Sequence, residues 1–376
     1  MIYLDYASTT PIRKEILDAY QKVLRVYYGN ADSLHQIGRE SQKLMEKSRA
    51  QIAQLFSVSA SEIFFTSCAS ESNSWAIKGF ALANMYRGKH IITTCVEHSS
   101  VLHACDQLEK HFGFEVTYLP ITKEGIVNIE TLKQAFRKDT ILVSVMAVNN
   151  ETGALNPIEE CAKMIHEQTR AVFHVDAVQA VGKINIPYEQ IDMVTVSAHK
   201  IYGCKGSAIL YKKENLSLLP LINGGQQESG IRGGTSNAPV NIVFAKTLRL
   251  ALEEQGNTYA HVKQLNDTLR QAFREMDDVT INSPNDALPH ILNVSFLHVG
   301  SEIMLNALNE LGICVSAQST CSSHKKAHSY VLSAMGLGDV ISTHAIRISL
   351  SYLTTMEEIQ ALIKACKEIN HDYGTK

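Results

Sequence analysis

Apolar residues recur at helical spacing in some stretches and as short continuous runs in others, and the two patterns alternate along most of the chain. Leu44, Met45, Ile52, Ala53 and Leu55 fall at helical spacing within Arg39–Leu55, and Glu62–Phe65 follows as a short buried strand. Trp75–Tyr86 returns to the helical pattern. Apolar runs at His90–Thr94, Glu115–Leu119, Thr140–Val148, Arg170–Val175, Met193–Val196 and Ser207–Tyr211 predict further strands. Most are separated by helix-length segments such as Ile129–Phe136 and Ile158–Glu167. That rhythm predicts an α/β fold with a mostly parallel central sheet flanked by helices.

The texture changes after Gly224. A glycine-rich stretch (Gly224, Gly225, Gly230, Gly233, Gly234) leads into helical patterns over Pro239–Glu254 and Tyr259–Met276. Strand Leu292–Phe296, helix Ser301–Leu311, strand Ile346–Ser349 and helix Met356–Ile369 then suit a smaller α+β domain. The expected division is a large domain over 15–255 and a small domain made of 1–14 and 256–376. Residues 312–331 show little apolar periodicity, and a loop of that length in a compact protein more often carries function than not.

Polar residues with chemical potential gather just beyond the predicted strands. Ala171–Val175 runs into Asp176, with Gln179 three residues on, and Met193–Val196 runs into Ser197, Ala198, His199 and Lys200. Ligands of parallel α/β sheets bind outside the carboxyl ends of the strands, so Asp176 and Lys200 can face one crevice. An amine and a carboxylate in that setting suggest pyridoxal phosphate: the lysine binds the aldehyde and the aspartate keeps the pyridine nitrogen protonated. The plain alternative is a buried or rim ion pair. Thr66–Asn73 (TSCASESN) follows a strand and opens a helix, as a phosphate site does, though serines there also serve as ordinary caps. Arg232–Asn237 (RGGTSN) offers Thr235 to the same phosphate or forms a turn. His98 and the pair Asn149–Asn150 likewise follow strands; an imidazole there can stack on a planar cofactor and exchange protons, and the asparagines can donate to a ring oxygen or shape a turn.

Composition removes several classes of function. The chain has 376 residues, 45% of them hydrophobic and 19% charged, with 35 Lys plus Arg against 38 Asp plus Glu. A net charge of -3 supplies no polycationic field for nucleic acid or anionic membranes. No apolar run approaches the ~20 residues of a membrane span, and Met1–Thr10 lacks the basic start and apolar core of a secretion signal, so a cytoplasmic protein is expected. The eight cysteines are scattered without a CxxC pair, which leaves free thiols as the expectation over disulfides or zinc. Cys105, Cys161 and Cys366 sit in helical patterns as apolar fillers. Cys321 differs: it lies in a polar loop followed by His324, Lys325 and Lys326, and neighbouring cations favour the nucleophilic thiolate.

Together these segments resemble the cysteine desulfurases of the NifS/IscS-like, long-loop group, pyridoxal-phosphate enzymes of the fold type I aminotransferase class. The likeness runs in order through Tyr3–Pro11 (YLDYASTTP), Ser33–His35, TSCASESN, VEHSSVL, Val148–Gly153 (VNNETG), His174–Gln179 (HVDAVQ), Ser197–Gly203 (SAHKIYG), Gly224–Asn237, Ile291–Phe296, the Cys321 loop and Ile346–Leu350. It covers nearly the whole chain.

The resemblance implies that Lys200 is the Schiff-base lysine, Asp176 the partner of the pyridine nitrogen, Gln179 and Asn150 donors to the ring oxygen, and His98 the stacking acid/base. Ala69, Ser70, Ser197 and His199 would hold the phosphate, joined by Thr235 from the second subunit of a homodimer. Arg347 would clamp the substrate carboxylate, a task its planar fork suits. The implied reaction takes L-cysteine to alanine, leaves a persulfide on Cys321, and passes the sulfur to an acceptor protein serving iron-sulfur clusters or tRNA thiolation. Cys68 stands where the family commonly has a glycine, Cys204 where it has a proline, and Gln318–Ser323 (QSTCSS) lacks the usual loop glycine. Alternative readings are a selenocysteine lyase or another pyridoxal-phosphate enzyme, for which Cys321 is the discriminating residue, and a non-catalytic scaffold for sulfur trafficking.

Overall fold

The computed structural model describes residues 1–317 and 328–374. Its strands, in chain order, are β1 (Ile2–Tyr3), β2 (Ile63–Thr66), β3 (His90–Thr94), β4 (Glu115–Leu119), β5 (Thr140–Ser144), β6 (Val172–Asp176), β7 (Met193–Ser197), β8 (Ala208–Lys212), β9 (Val279–Ile281), β10 (Ile291–Phe296), β11 (Ile313–Cys314) and β12 (Ala345–Ser349). Seven of them form one sheet in the order β2-β8-β7-β6-β5-β3-β4. From β7 to β4 every pairing is parallel, while β8 runs antiparallel to both β7 and β2. The reversal at β8 has a simple cause. Only residues 198–207 separate it from β7, too few for the helical crossover of a dozen or more that a parallel return needs.

Strands β3, β5, β6, β7 and β8 are buried at every position, as continuous apolar runs covered on both faces must be. Phe173, Val175, Val194 and Val196 face a large core shared with the helices Gln36–Phe56, Ile158–Gln168 and Ala238–Glu253. The opposite face is covered by Trp75, Phe80 and the helix Ser99–Phe112. His174 crosses the sheet interior, its ring nitrogens bonded to Ser144 Oγ at 2.9 Å and Thr195 Oγ1 at 3.1 Å, and burial lowers its pKa to about 4, so the ring is neutral.

Several predicted boundaries move for identifiable reasons. The run Thr140–Val148 ends as a strand at Ser144, because Asn149 folds the following segment into a turn: its Oδ1 accepts from the N–H groups of Glu151 and Thr152. The predicted helix Trp75–Tyr86 is instead helix Ala69–Ser74, a wider π turn over Trp75–Gly79, and a short helix Phe80–Ala83. Gly79 sits where a Cβ would lie 2.5 Å from Trp75 Cδ1 and 2.8 Å from the Leu219 carbonyl, so only glycine fits without displacement.

A second, smaller sheet orders β12-β10-β9, all antiparallel, and β1 pairs in parallel with β11. Its core gathers Leu4, Leu269, Phe273, Phe296, Ile348 and Leu362, so the N-terminal segment packs with the last third of the chain. Arg13 bridges the two cores: it donates to both Glu254 carboxylate oxygens at 2.7 and 2.6 Å and lies over the rings of Tyr202 and Tyr352.

Candidate active site

Because β2, β3, β5, β6 and β7 run in the same direction, their carboxyl ends open on one side, where the segment Ala7–Ser8 and β12 close over them. Asp176 ends β6; His199 and Lys200 lie on the tight turn after β7; Asn150, His98 and Ala69–Ser70 follow β5, β3 and β2. All of these, with Gln179 and Arg347, line one cavity of ≈ 690 Å³. Ser197 ends β7, 1% exposed, with no partner for its hydroxyl among the described residues. Thr235 is exposed and does not line this cavity, and Cys321, His324, Lys325 and Lys326 lie outside the described residues.

The Lys200 ammonium donates to the carbonyls of Ala7 at 2.6 Å and Ser8 at 2.8 Å, not to Asp176, so the plain ion-pair alternative is not what the fold builds. Desolvation, helped by the Arg347 charge, lowers its pKa to about 8. Asp176 accepts from Asn73 Nδ2 at 2.7 Å and from the Val178 N–H at 3.0 Å. Asn73 Nδ2 also donates to Ser100 Oγ, which bonds His98 Nδ1 at 2.8 Å. The Ser100 N–H donates to that same Nδ1, so a neutral His98 carries its proton on Nε2. His98 is open to the cavity as a residue, yet the surrounding protein lowers its pKa, chiefly by desolvation. Gln179 donates through Nε2 to the Ala7 carbonyl at 2.9 Å, and its Oε1 accepts from Lys183 at 3.0 Å.

Arg347 is 6% exposed; its Nη2 donates to Asp5 Oδ1 and Ser8 Oγ, its Nη1 to the Asn150 carbonyl, and its Nε has no partner among the described residues. The backbone of Arg347 also bridges to Ser316. Beside the cavity, Ser67 donates through N and Oγ to Glu71, which holds Arg232 at 2.8 Å, so the loop around Ser70 is tied to the segment that carries Thr235.

A planar, anionic, nitrogen-containing cofactor suits these residues. Among the described residues the hydroxyl of Ser197, Oδ1 of Asn150 and Nε of Arg347 are buried without partners, polar atoms that a bound group can satisfy. An amine with a pKa near neutrality shares the cavity with a carboxylate that has no salt bridge among the described residues. The sequence pattern did not single out Ser100, Lys183, Glu97 or Glu151. Glu97 and Glu151 are fully buried, and desolvation raises their pKa values to about 8 and about 7. Glu151 accepts from Ser329 Oγ at 2.5 Å, just after the undescribed stretch. Lys183 stands four residues beyond Gln179, a spacing that could have drawn attention to it.

Comparison with known proteins identifies the family. The family described as Aminotransferase class-V matches residues 2–362. A cysteine desulfurase IscS of Dictyoglomus turgidum is 41% identical over 98% of this chain and 94% of its own length. A mitochondrial cysteine desulfurase of Saccharomyces cerevisiae is 40% identical over 98% of this chain and 74% of its own. A solved NifS-like protein superposes over 100% of both chains with a TM-score of 0.92 at 36% identity. The chain belongs to the aminotransferase class-V family, in its NifS/IscS-like cysteine desulfurase group, whose cofactor is pyridoxal 5'-phosphate.

Proposed function

We propose that this chain converts L-cysteine to L-alanine and carries the released sulfur as a persulfide on Cys321 before passing it to an acceptor protein. The observation that supports this most directly is the convergence of Lys200, Asp176, His98, Gln179 and Arg347 on one cavity in a chain about 40% identical to cysteine desulfurases over its full length. When bound, pyridoxal phosphate withdraws electrons from the substrate α-carbon. Lys200 would hold it and move the α-proton, Asp176 would keep its ring nitrogen protonated, His98 would stack on it, and Gln179 and Asn150 would serve its ring oxygen. Ala69, Ser70, Ser197 and His199 would hold the phosphate. Arg347 would receive the substrate carboxylate, for which its Nε, without a partner among the described residues, is available.

The Cys321 thiolate attacks the sulfur of the activated substrate. A sulfur-sulfur bond forms, the carbon-sulfur bond breaks, and the β-carbon takes one proton to become the methyl group of alanine. We place the large domain at 15–255 and the small domain at 1–14 with 256–376, a division supported by the two separate apolar cores. Thr235, exposed on its own chain, is assigned to the phosphate of a second subunit in a homodimer. The acceptor is assigned as an iron-sulfur scaffold or a tRNA-thiolation enzyme, and the compartment as the cytoplasm; among the described residues no helix is long and apolar enough to cross a membrane.

The test is to mix the protein with L-cysteine without reductant and map its thiols by mass spectrometry. The proposal expects one added sulfur on the peptide carrying Cys321. Added sulfur elsewhere, or none despite alanine formation, would oppose it.

A further inference from the structure

Lys183 lies in the corner of the cavity floor behind Gln179, reached from the turn that follows β6. A small cavity there is bordered by Lys183, Lys200, Gln179, Tyr6 and His290. Among the described residues Lys183 has no salt bridge, and its one hydrogen-bond partner is Gln179 Oε1 at 3.0 Å. Among the described residues the charged or titratable groups around it are Lys200 and Arg347, both cationic, the phenols of Tyr6 and Tyr202, which burial keeps protonated, and His290, 3% exposed, whose two ring nitrogens have no partner and whose burial keeps it neutral. Although the Lys183 residue keeps some accessible surface, its ammonium lies deep among protein atoms, and that desolvation lowers its pKa to about 7. An unpaired ammonium placed beside other cations is costly. Packing alone would be met by an apolar side chain.

The contact with Gln179 gives the ammonium a use. An amide side chain presents a donor on one side and an acceptor on the other. Gln179 can place either group beside Lys200. With Oε1 held by Lys183, Nε2 must point the other way, and it bonds the Ala7 carbonyl, the same carbonyl that accepts from Lys200. We infer that Lys183 is a positioning residue: its ammonium fixes the Gln179 amide so that a donor, and not an oxygen lone pair, faces the cofactor's ring oxygen next to Lys200. This inference rests on the proposed role of Gln179 at the ring oxygen. An amide free to turn would set its oxygen against the negative charge that the ring oxygen carries, and would raise the proton affinity of the lysine-cofactor linkage beside it.

The test is a pH titration of the visible absorption of the cofactor-loaded protein in four forms: wild type, Lys183→Met, Gln179→Ala and the double variant. The expected result is an upward movement of the midpoint by ~0.5–1 pH unit in each single variant, and no further movement when Lys183→Met is added to Gln179→Ala. Equal shifts from Lys183→Met in both backgrounds would overturn the inference, because they would show the ammonium acting by its charge alone. A shift in Gln179→Ala with none in Lys183→Met would overturn it as well while leaving the role of Gln179 intact. No visible band in any form, wild type included, would remove both. If Lys183→Met does not fold, Lys183→Gln removes the ammonium with less apolar surface and carries the same comparison.

Discussion

The carbonyls of Ala7 and Ser8 hold the Lys200 ammonium at a point where desolvation and Arg347 lower its pKa to about 8, so a neutral amine is accessible near physiological pH. Lys200→Ala is therefore expected to lower turnover by on the order of 10³-fold or more, and borohydride reduction should fix the cofactor to the Lys200 peptide of the wild type only. Retention of covalently fixed cofactor in the variant would contradict this. Asp176→Asn removes the charge at nearly constant shape but keeps only one of the two acceptors that Asn73 and Val178 use; a loss of roughly 10²–10³-fold in kcat, with the cofactor still bound, is the expected outcome in steady-state assays. The placing of Lys200, Asp176 and His98 around one cavity was legible in the sequence because Asp176 ends a strand and the other two stand just past one, where parallel sheets bind ligands. Ser100 and Lys183 were not legible, since each meets its partner, Asn73 or Gln179, only through a contact that the folded chain creates.

At the scale of elements, Glu151 sits on the turn after β5 and ties it to Ser329 at the start of the helix Tyr330–Ala334. Its carboxyl titrates near ~4.3 when unfolded and at about 7 in the fold. Below the lower value both states hold the proton. Between the two, the unfolded state ionises first, so stability falls as pH rises and the loss is complete above about pH 7. Glu151→Gln abolishes this titration: relative to wild type it should gain roughly 1–3 kcal/mol in urea unfolding at high pH compared with low pH, and parallel pH profiles would refute the assignment. At the π turn, Gly79→Ala should cost ~1–3 kcal/mol in the same measurement because its Cβ meets Trp75 and the Leu219 carbonyl. Strands His90–Thr94 and Glu115–Leu119 were readable to the residue from their apolar runs. The pairs β1–β11 and β9–β10 were not: β1, β9 and β11 are two or three residues long, and β1 and β11 stand some 310 positions apart.

For the whole molecule, the ion pair of Glu71 with Arg232 anchors the Thr235 segment beside its own cavity while Thr235 itself stays outside it. If Thr235 completes the site of a second copy, neither Lys200→Ala nor Thr235→Val alone should be fully active, yet subunits of the two variants mixed and reassembled should regain activity through one intact shared site. No recovery from a mixed dimer would contradict the shared-site arrangement. The large fold was legible because parallel strands buried on both faces leave a strong apolar signature; the grouping of residues 1–14 with the last third of the chain was expected without any local apolar pattern to mark it, and Leu4 does pack in one core with Phe273, Phe296 and Ile348. Sulfur abstraction from L-cysteine through Cys321 is tested by the release of alanine and sulfide from L-cysteine with reductant, in the wild type and in Cys321→Ala. Equal amounts of both products are expected from the wild type and neither from the variant. Undiminished sulfide and alanine from Cys321→Ala would contradict it.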